Sequence, residues 1–174
     1  MRIQSRKVVW MVAADAHWEK DIDRALALYA DQVRRICFLY LRRREDVEDV
    51  FQDVFLKYLQ RKTPFASEQH EQAWLIRVAI NSCKDVRRSF WRRQVVPLDE
   101  NLAADMPPEN LGLLKAVLQL PVRERTAVYL HDYEGYTAEE IARVLKQKPN
   151  TVYSHLHRAR KKLGEQWRGN GDER

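Results

Sequence analysis

Ile22, Leu26, Tyr29, Val33, Ile36, Cys37 and Tyr40 recur at steps of three and four, the repeat of a helix that buries one stripe. A first helix of about five turns is predicted. A second stripe follows in Val47, Val50, Phe51, Val54, Phe55, Tyr58 and Leu59, with Glu45, Glu48, Asp49, Gln52 and Asp53 on its outer face. The segment Lys62 to His70, which holds Pro64 and Ser67, breaks the repeat before Leu75, Val78, Ala79, Ser82 and Val86 begin a third. Three amphipathic helices with short connections can close one core. Phe51, Phe55 and Trp74 lie on the stripes and are read as core aromatics, not as base-stacking platforms.

Pro97, Pro107 and Pro108, mixed with Asp99, Glu100, Asp105 and Glu109, then make a stretch that neither packs nor continues a helix. Beyond it, Leu114, Val117 and Leu118 predict a short helix, and Pro121 opens another that runs toward Gly135 as its stop. Thr137 with Glu140 three residues on is a capping box, and Ala138, Ile141, Ala142 and Leu145 form the stripe of a helix of two to three turns. After Lys146 to Lys148, a further helix buries Val152, Leu156, Ala159 and Leu163. Its other faces carry Asn150, Thr151, Tyr153, Ser154, His155, His157, Arg158, Arg160 and Lys161. Two short helices of this kind are a helix-turn-helix signature, with early side chains placed for base edges and later cations for phosphates.

The expected fold is therefore all-α. Two small helical domains are joined by a flexible acidic, proline-bearing linker, and the C-terminal one is a helix-turn-helix. The boundaries are an N-terminal extension at 1–22, a helical domain at 23–94, the linker at 95–110, the helix-turn-helix domain at 111–168 and a tail at 169–174. Composition agrees: 174 residues, 45% hydrophobic, suffice for a buried core, and five Gly with six Pro are too few for the dense turns of a sandwich or barrel.

Charge adds partners to the picture. The net +6 is distributed in blocks: acidic around Asp49, basic from Lys84 to Arg93, and basic again from Arg143 onward. Arg77, Asn81, Lys84 and Arg88, at steps of four, three and four, share a ridge suited to a polyanion. No glycine-rich phosphate loop is present, and Cys37 and Cys83 lack the spacing of a zinc site or a disulfide framework. Asp46, Asp49, Asp53 and His70 have the chemistry of metal ligands but lack the fixed geometry a site needs, so no metal centre is expected of them. No cofactor, metal or catalytic residue is expected. Val8 to Ala14 is too short for an export signal, and no run approaches the ~20 apolar residues of a membrane helix, so a cytoplasmic protein is expected.

Two blocks of residues carry a resemblance, the first of them in two parts. Glu45-Asp-Val-Glu-Asp-Val-Phe-Gln-Asp-Val-Phe55 is one, Trp74-Leu-Ile-Arg-Val-Ala-Ile-Asn81 with Asp85, Arg87 and Arg88 the next. Thr137-Ala-Glu-Glu-Ile-Ala142 with Thr151-Val-Tyr-Ser-His-Leu-His-Arg-Ala-Arg160 is the last. From Asp23 to Leu163 the chain resembles the sigma-70 family of bacterial RNA polymerase initiation factors, in its extracytoplasmic-function group. The resemblance implies that Asp49, Gln52 and Asp53 dock on the coiled-coil clamp of the polymerase's largest subunit. It implies that the Lys62 to His70 loop captures a flipped base, and that Lys62, Arg77, Asn81, Lys84 and Arg88 meet the minus-ten element. Asn150, Thr151, Tyr153, Ser154, His155, Arg158, Arg160 and Lys161 would meet the minus-thirty-five element. Core RNA polymerase, promoter DNA and an anti-sigma factor are the partners it implies, with the chemistry left to the polymerase.

The chain departs from the family pattern at the turn, where Lys146 and Gln147 replace a Gly and an apolar residue, and at Tyr153 and His155, where basic residues are common. Two rivals frame the expectation. One is a stand-alone helix-turn-helix regulator binding duplex DNA as a dimer. The other is a nucleic-acid-processing enzyme that uses the acidic cluster with a divalent ion.

Overall fold

The computed structural model describes residues 16–41, 43–90 and 111–169, and the linker expected at 95–110 lies outside them. Among the described residues all regular structure is helical. Three helices build the N-terminal lobe: α1 (Ala16–Tyr40), α2 (Arg44–Gln60) and α3 (Glu68–Phe90). α1 begins six residues before the expected boundary at Ile22, so 25 residues replace the five turns expected. No Pro or Gly separates Ala16 from Ile22, and Asp21 already belongs to the lobe, pairing with Arg61 and with Arg24. α3 likewise starts inside the segment read as a loop, because the Ser67 hydroxyl accepts the His70 amide and supplies a cap.

Val33, Ile36, Cys37, Val47, Val54, Tyr58, Leu75, Ile76, Ala79 and Cys83 fill the core of this lobe. At one end Glu71 on α3, only 2% exposed, accepts two hydrogen bonds from Arg24 Nη2 of α1, at 2.6 and 2.7 Å, and one from Tyr58 Oη of α2. A buried carboxylate survives only when paired in this way, and here its partners come from both other helices. Beside it Tyr58, Phe65 and Trp74 form a ring cluster, Tyr58 and Trp74 edge to face and Phe65 tilted against both, and the Arg61 guanidinium covers Tyr58 at 3.8 Å. Trp74 and Phe55 are thus core residues, as the stripes predicted.

The C-terminal lobe holds α4 (Leu111–Gln119), α5 (Val122–Val128), α6 (Ala138–Leu145) and α7 (Pro149–Gly169). α5 runs on into a π-helical turn, Tyr129–Tyr133, and Gly135 at φ 77° ends it where the sequence placed the stop. Thr137 opens α6 with both halves of the capping box: its hydroxyl accepts the Glu140 amide at 3.2 Å, and the Glu140 carboxylate accepts the Thr137 amide at 2.9 Å. These bonds hold the Glu140 carboxyl below its ordinary range. The two lobes touch, α1 against α5 and α3 against α6.

Candidate polymerase and nucleic-acid interfaces

The α2 stripe buries Val47, Val50, Val54, Phe55 and Tyr58, which turns Asp49 and Gln52 fully outward. Asp49 forms no ion pair among the described residues. Asp53, one step round the helix, is half-buried and accepts Lys57 Nζ at 2.6 Å and the Ser82 hydroxyl at 2.8 Å. Its carboxylate is therefore already engaged, by Lys57 of its own helix and by Ser82 of α3. Leu56, 49% exposed, continues the Asp49 and Gln52 ridge by one turn and adds to it an exposed apolar side chain that acidity alone did not reveal.

On α3, Asn81, Lys84 and Arg88 are exposed while Arg77 is half-buried. Arg77 Nε donates at 3.2 Å to the carbonyl of Val144, in the last turn of α6. Lys84 is crowded: burial, then the charges of Arg123 on α5 and of Arg88, push its ammonium below the usual lysine range. Arg88 pairs only loosely with Asp85, at 3.5 Å between exposed groups. Lys62 is exposed in the short α2–α3 connection, with Phe65 anchored inward against Tyr58 and Trp74.

On α7 the buried side is Val152, His155, Leu156 and Ala159. His155 is 6% exposed, so it leaves the set of base-reading candidates. Its spacing of three and four from Val152 and Ala159 is that of the buried stripe itself. Its Nδ1 lies 2.9 Å from Arg158 Nη2, and burial, then Arg158 and Arg123, hold its pKa below the ordinary histidine value against the pull of Glu124. His157 takes its place on the outer face, with Asn150, Tyr153, Ser154, Arg160 and Lys161. Exposure at the right helical phase, and not residue type, separates the two histidines.

The remaining cations differ in how free they are. Arg158 leans on the buried Glu124 at 3.4 Å, sharing it with Lys162 at 2.9 Å. Arg160 reaches Asp132 at 2.6 Å, and Tyr153 Oη donates to Glu139 at 3.0 Å, which fixes the outer face of α7 against α6. Lys161 makes no ion pair among the described residues. Together with His131, Tyr153, Leu156, His157 and Arg160 it lines a shallow cleft of about 490 Å³. Thr151 stands exposed on the flank nearer Arg158.

The turn between α6 and α7 is regular despite its residues. Lys146 adopts the left-handed conformation, φ 53° and ψ 49°, and the Gln147 amide donates to Ala142 O at 2.8 Å. Among the described residues there is no group of three or more His, Cys, Asp or Glu able to hold a metal ion, and no helix long and apolar enough to cross a membrane.

Comparison with known proteins matches the geometry lobe by lobe. The family model described as "Sigma-70 region 2" covers residues 26–93, and "Sigma-70, region 4" covers 111–163. The extracytoplasmic-function sigma factor SigM of Mycobacterium tuberculosis is 31% identical over 136 residues, which is 76% of this chain and 69% of SigM. The sigma-E factor of Escherichia coli is 28% identical over 137 residues, 68% of this chain and 72% of that protein. Among solved structures, the sigma factor RpoE of Bartonella quintana, in complex with the anti-sigma factor NepR, superposes with a TM-score of 0.67 at 22% identity, over 84% of this chain and 96% of that one. CnrH, in complex with the cytosolic domain of CnrY, gives 0.65 at 20% identity, over 92% and 94%. At those identities the structures speak for the fold, while the sequence matches speak for descent: the chain belongs to the sigma-70 family of RNA polymerase sigma factors, in its extracytoplasmic-function group.

Proposed function

We propose that the chain binds core RNA polymerase, directs it to promoters and assists their opening, in the cytoplasm and with no catalytic residue of its own. The observation that carries this reading is the placement of two opposite chemistries on two outward helix faces. An acidic and amide ridge, Asp49 and Gln52, lies on α2, and a polar and cationic face, Asn150 to Lys161, lies on the second helix of the helix-turn-helix. The first suits a basic protein surface and the second a DNA groove. Asn81, Lys84, Arg88 and Lys62 on the N-terminal lobe serve the minus-ten element in this reading, with Arg77 and Asp53 as partly engaged members of their groups.

A stand-alone dimeric regulator would leave the whole N-terminal lobe and its acidic ridge without a task. The test is run-off transcription from a promoter library with core enzyme. The chain raises correctly started transcripts, and Asp49→Arg weakens core binding at least tenfold, which is about 1.4 kcal/mol, with an unchanged circular dichroism spectrum. Unaltered core affinity in that variant overturns the docking assignment.

A further inference from the structure

The loop between α2 and α3 is fastened at both ends to α1, a helix to which the proposed function gives no contact of its own. Arg61, the residue that closes α2, donates through Nη1 to Tyr58 O at 2.8 Å and through Nη2 to Asp21 Oδ2 of α1. Glu71, in the first turn of α3, accepts Arg24 Nη2 of α1 through both oxygens and the Tyr58 hydroxyl through Oε1. Arg24 Nη2 also lies 3.4 Å from Asp21 Oδ1, so the circuit Asp21, Arg61, Tyr58, Glu71, Arg24 closes on itself. Within the loop, Phe65 holds its ring 4.7 Å from the same Arg61 guanidinium and 5.5 Å from Trp74. Lys62, Thr63, Pro64, Ala66 and Ser67 are all exposed.

Much of the circuit is out of water: the side chains of Arg61, Asp21 and Glu71 are 9%, 20% and 2% exposed. Burial by itself raises the Asp21 carboxyl, and the bonds and charges of Arg61 and then Arg24 bring it below the ordinary carboxylate range. Such a pair fixes geometry, because a guanidinium that leaves its carboxylate here strands two poorly solvated charges. Asp21 and Arg24 both precede the region 2 family match, which begins at residue 26, so that match does not account for them. We propose that Asp21 is a positioning residue: through Arg61, and with Arg24 through Glu71, it holds the α2–α3 loop in one shape, and that shape sets the loop's choice among minus-ten sequences. The proposal rests on the reading that puts Lys62 of this loop at the minus-ten element. A fixed loop meets a wrong base with a clash or an unpaired polar group. A loose loop adapts to every base and loses the same ordering entropy each time, so freeing it lowers discrimination more than contact.

Asp21→Asn is the mildest cut in the circuit. It removes the charge, keeps an oxygen toward Arg61 and leaves Arg24 on the buried Glu71. Asp21→Glu returns the carboxylate on one more methylene. Each full chain, with core enzyme, transcribes a library of promoters randomised at the minus-ten and minus-thirty-five elements, and sequencing the correctly started transcripts' templates gives the base preferences. Asp21→Asn lowers the best-to-worst base ratio in the minus-ten element by roughly threefold or more and leaves the minus-thirty-five ratios unchanged. Asp21→Glu recovers most of that loss. In amide hydrogen exchange, Asp21→Asn speeds residues 62–67 by roughly threefold or more, while the middles of α2 and α3 keep wild-type protection. A merely structural defect lowers the active fraction and every template alike, with preferences intact. An unchanged minus-ten preference, equal flattening at both elements, no recovery in Asp21→Glu, or unchanged exchange at 62–67 overturns the proposal. Wild-type stimulation together with any of those results sinks the positioning role alone, whereas a wild-type chain that stimulates no correctly started transcript sinks the initiation-factor reading and the proposal with it.

Discussion

His155 and His157 are two positions apart on α7, and a helix turns residues at that spacing to different surroundings. Arg158 can only donate, so Nδ1 of His155 is its acceptor and the ring is neutral with its proton on Nε2. That Nε2 is buried without a partner. Burial and the nearby Arg158 and Arg123 lower the folded pKa below the ordinary 6.5, while Glu124 alone pulls the other way. The unfolded chain therefore binds more protons as pH falls. Stability from the neutral ring is complete above pH 6.5 and is lost as pH drops from there through the folded value, at no more than about 1.4 kcal/mol per pH unit. Thermal melts at pH 7.5 and 5.5 check this. His155→Leu removes an unsatisfied donor, so its melting temperature at pH 7.5 is equal or higher, and its fall toward pH 5.5 is smaller than that of wild type. A wild-type curve no steeper than the variant's would show that the ring is protonated at no cost. In the sequence both histidines look alike; only the phase set by Val152 and Ala159 tells them apart, and it was legible there.

At the scale of the element, the α6 start was plain in the sequence and the α6 end was not. Thr137 and Glu140 state their capping box in their spacing, and both bonds form. Thr137→Ala accordingly loses about 1 kcal/mol of stability. The end of the helix lacks the glycine that usually announces a left-handed residue, and Lys146 takes that conformation anyway because the Gln147 and Lys146 amides close on Ala142 and Arg143. A side chain there costs about 1 kcal/mol, so Lys146→Gly, after its own greater unfolded-state entropy, is stabilising by a few tenths to about 1 kcal/mol. Urea denaturation reads both variants, with midpoints moving in opposite directions. A lower midpoint for Lys146→Gly would mean the lysine side chain contributes more than its backbone strain. The start of α1 was not marked for a related reason: the six residues Ala16 to Asp21 contain no Pro or Gly but offer only Trp18 at the phase of the stripe, and a stripe marks what is buried, not where a helix begins.

For the whole molecule, what the sequence left open is the contact between the lobes. Stripes report burial within a lobe, but Arg77, Gln32 and Thr126 are polar residues whose partners lie 67, 102 and 86 positions away, and no local pattern encodes such pairings. The proposed division of labour rests on charge at helical spacing, a pattern that is legible in the sequence. It leads to a prediction about independence. Asp49 on α2 and Lys161 on α7 lie on different lobes, and each stands without an ion pair among the described residues, so neither substitution leaves a buried partner behind. Asp49→Arg should reduce core binding and leave the salt slope of duplex binding by the free chain nearly unchanged. Lys161→Gln should lower that slope by about 0.9 and leave core affinity alone, whereas Arg158→Gln lowers it less, since Arg158 already leans on Glu124. In transcription the two effects meet, because polymerase holds the reader near the promoter at a raised effective concentration. At limiting core enzyme and DNA, the double variant's deficit should equal the product of the single deficits, additive in free energy to within about 0.5 kcal/mol. A deficit well short of the product would mean that the two faces act as one coupled surface, and the assignment of polymerase to one helix and DNA to the other would have to be withdrawn.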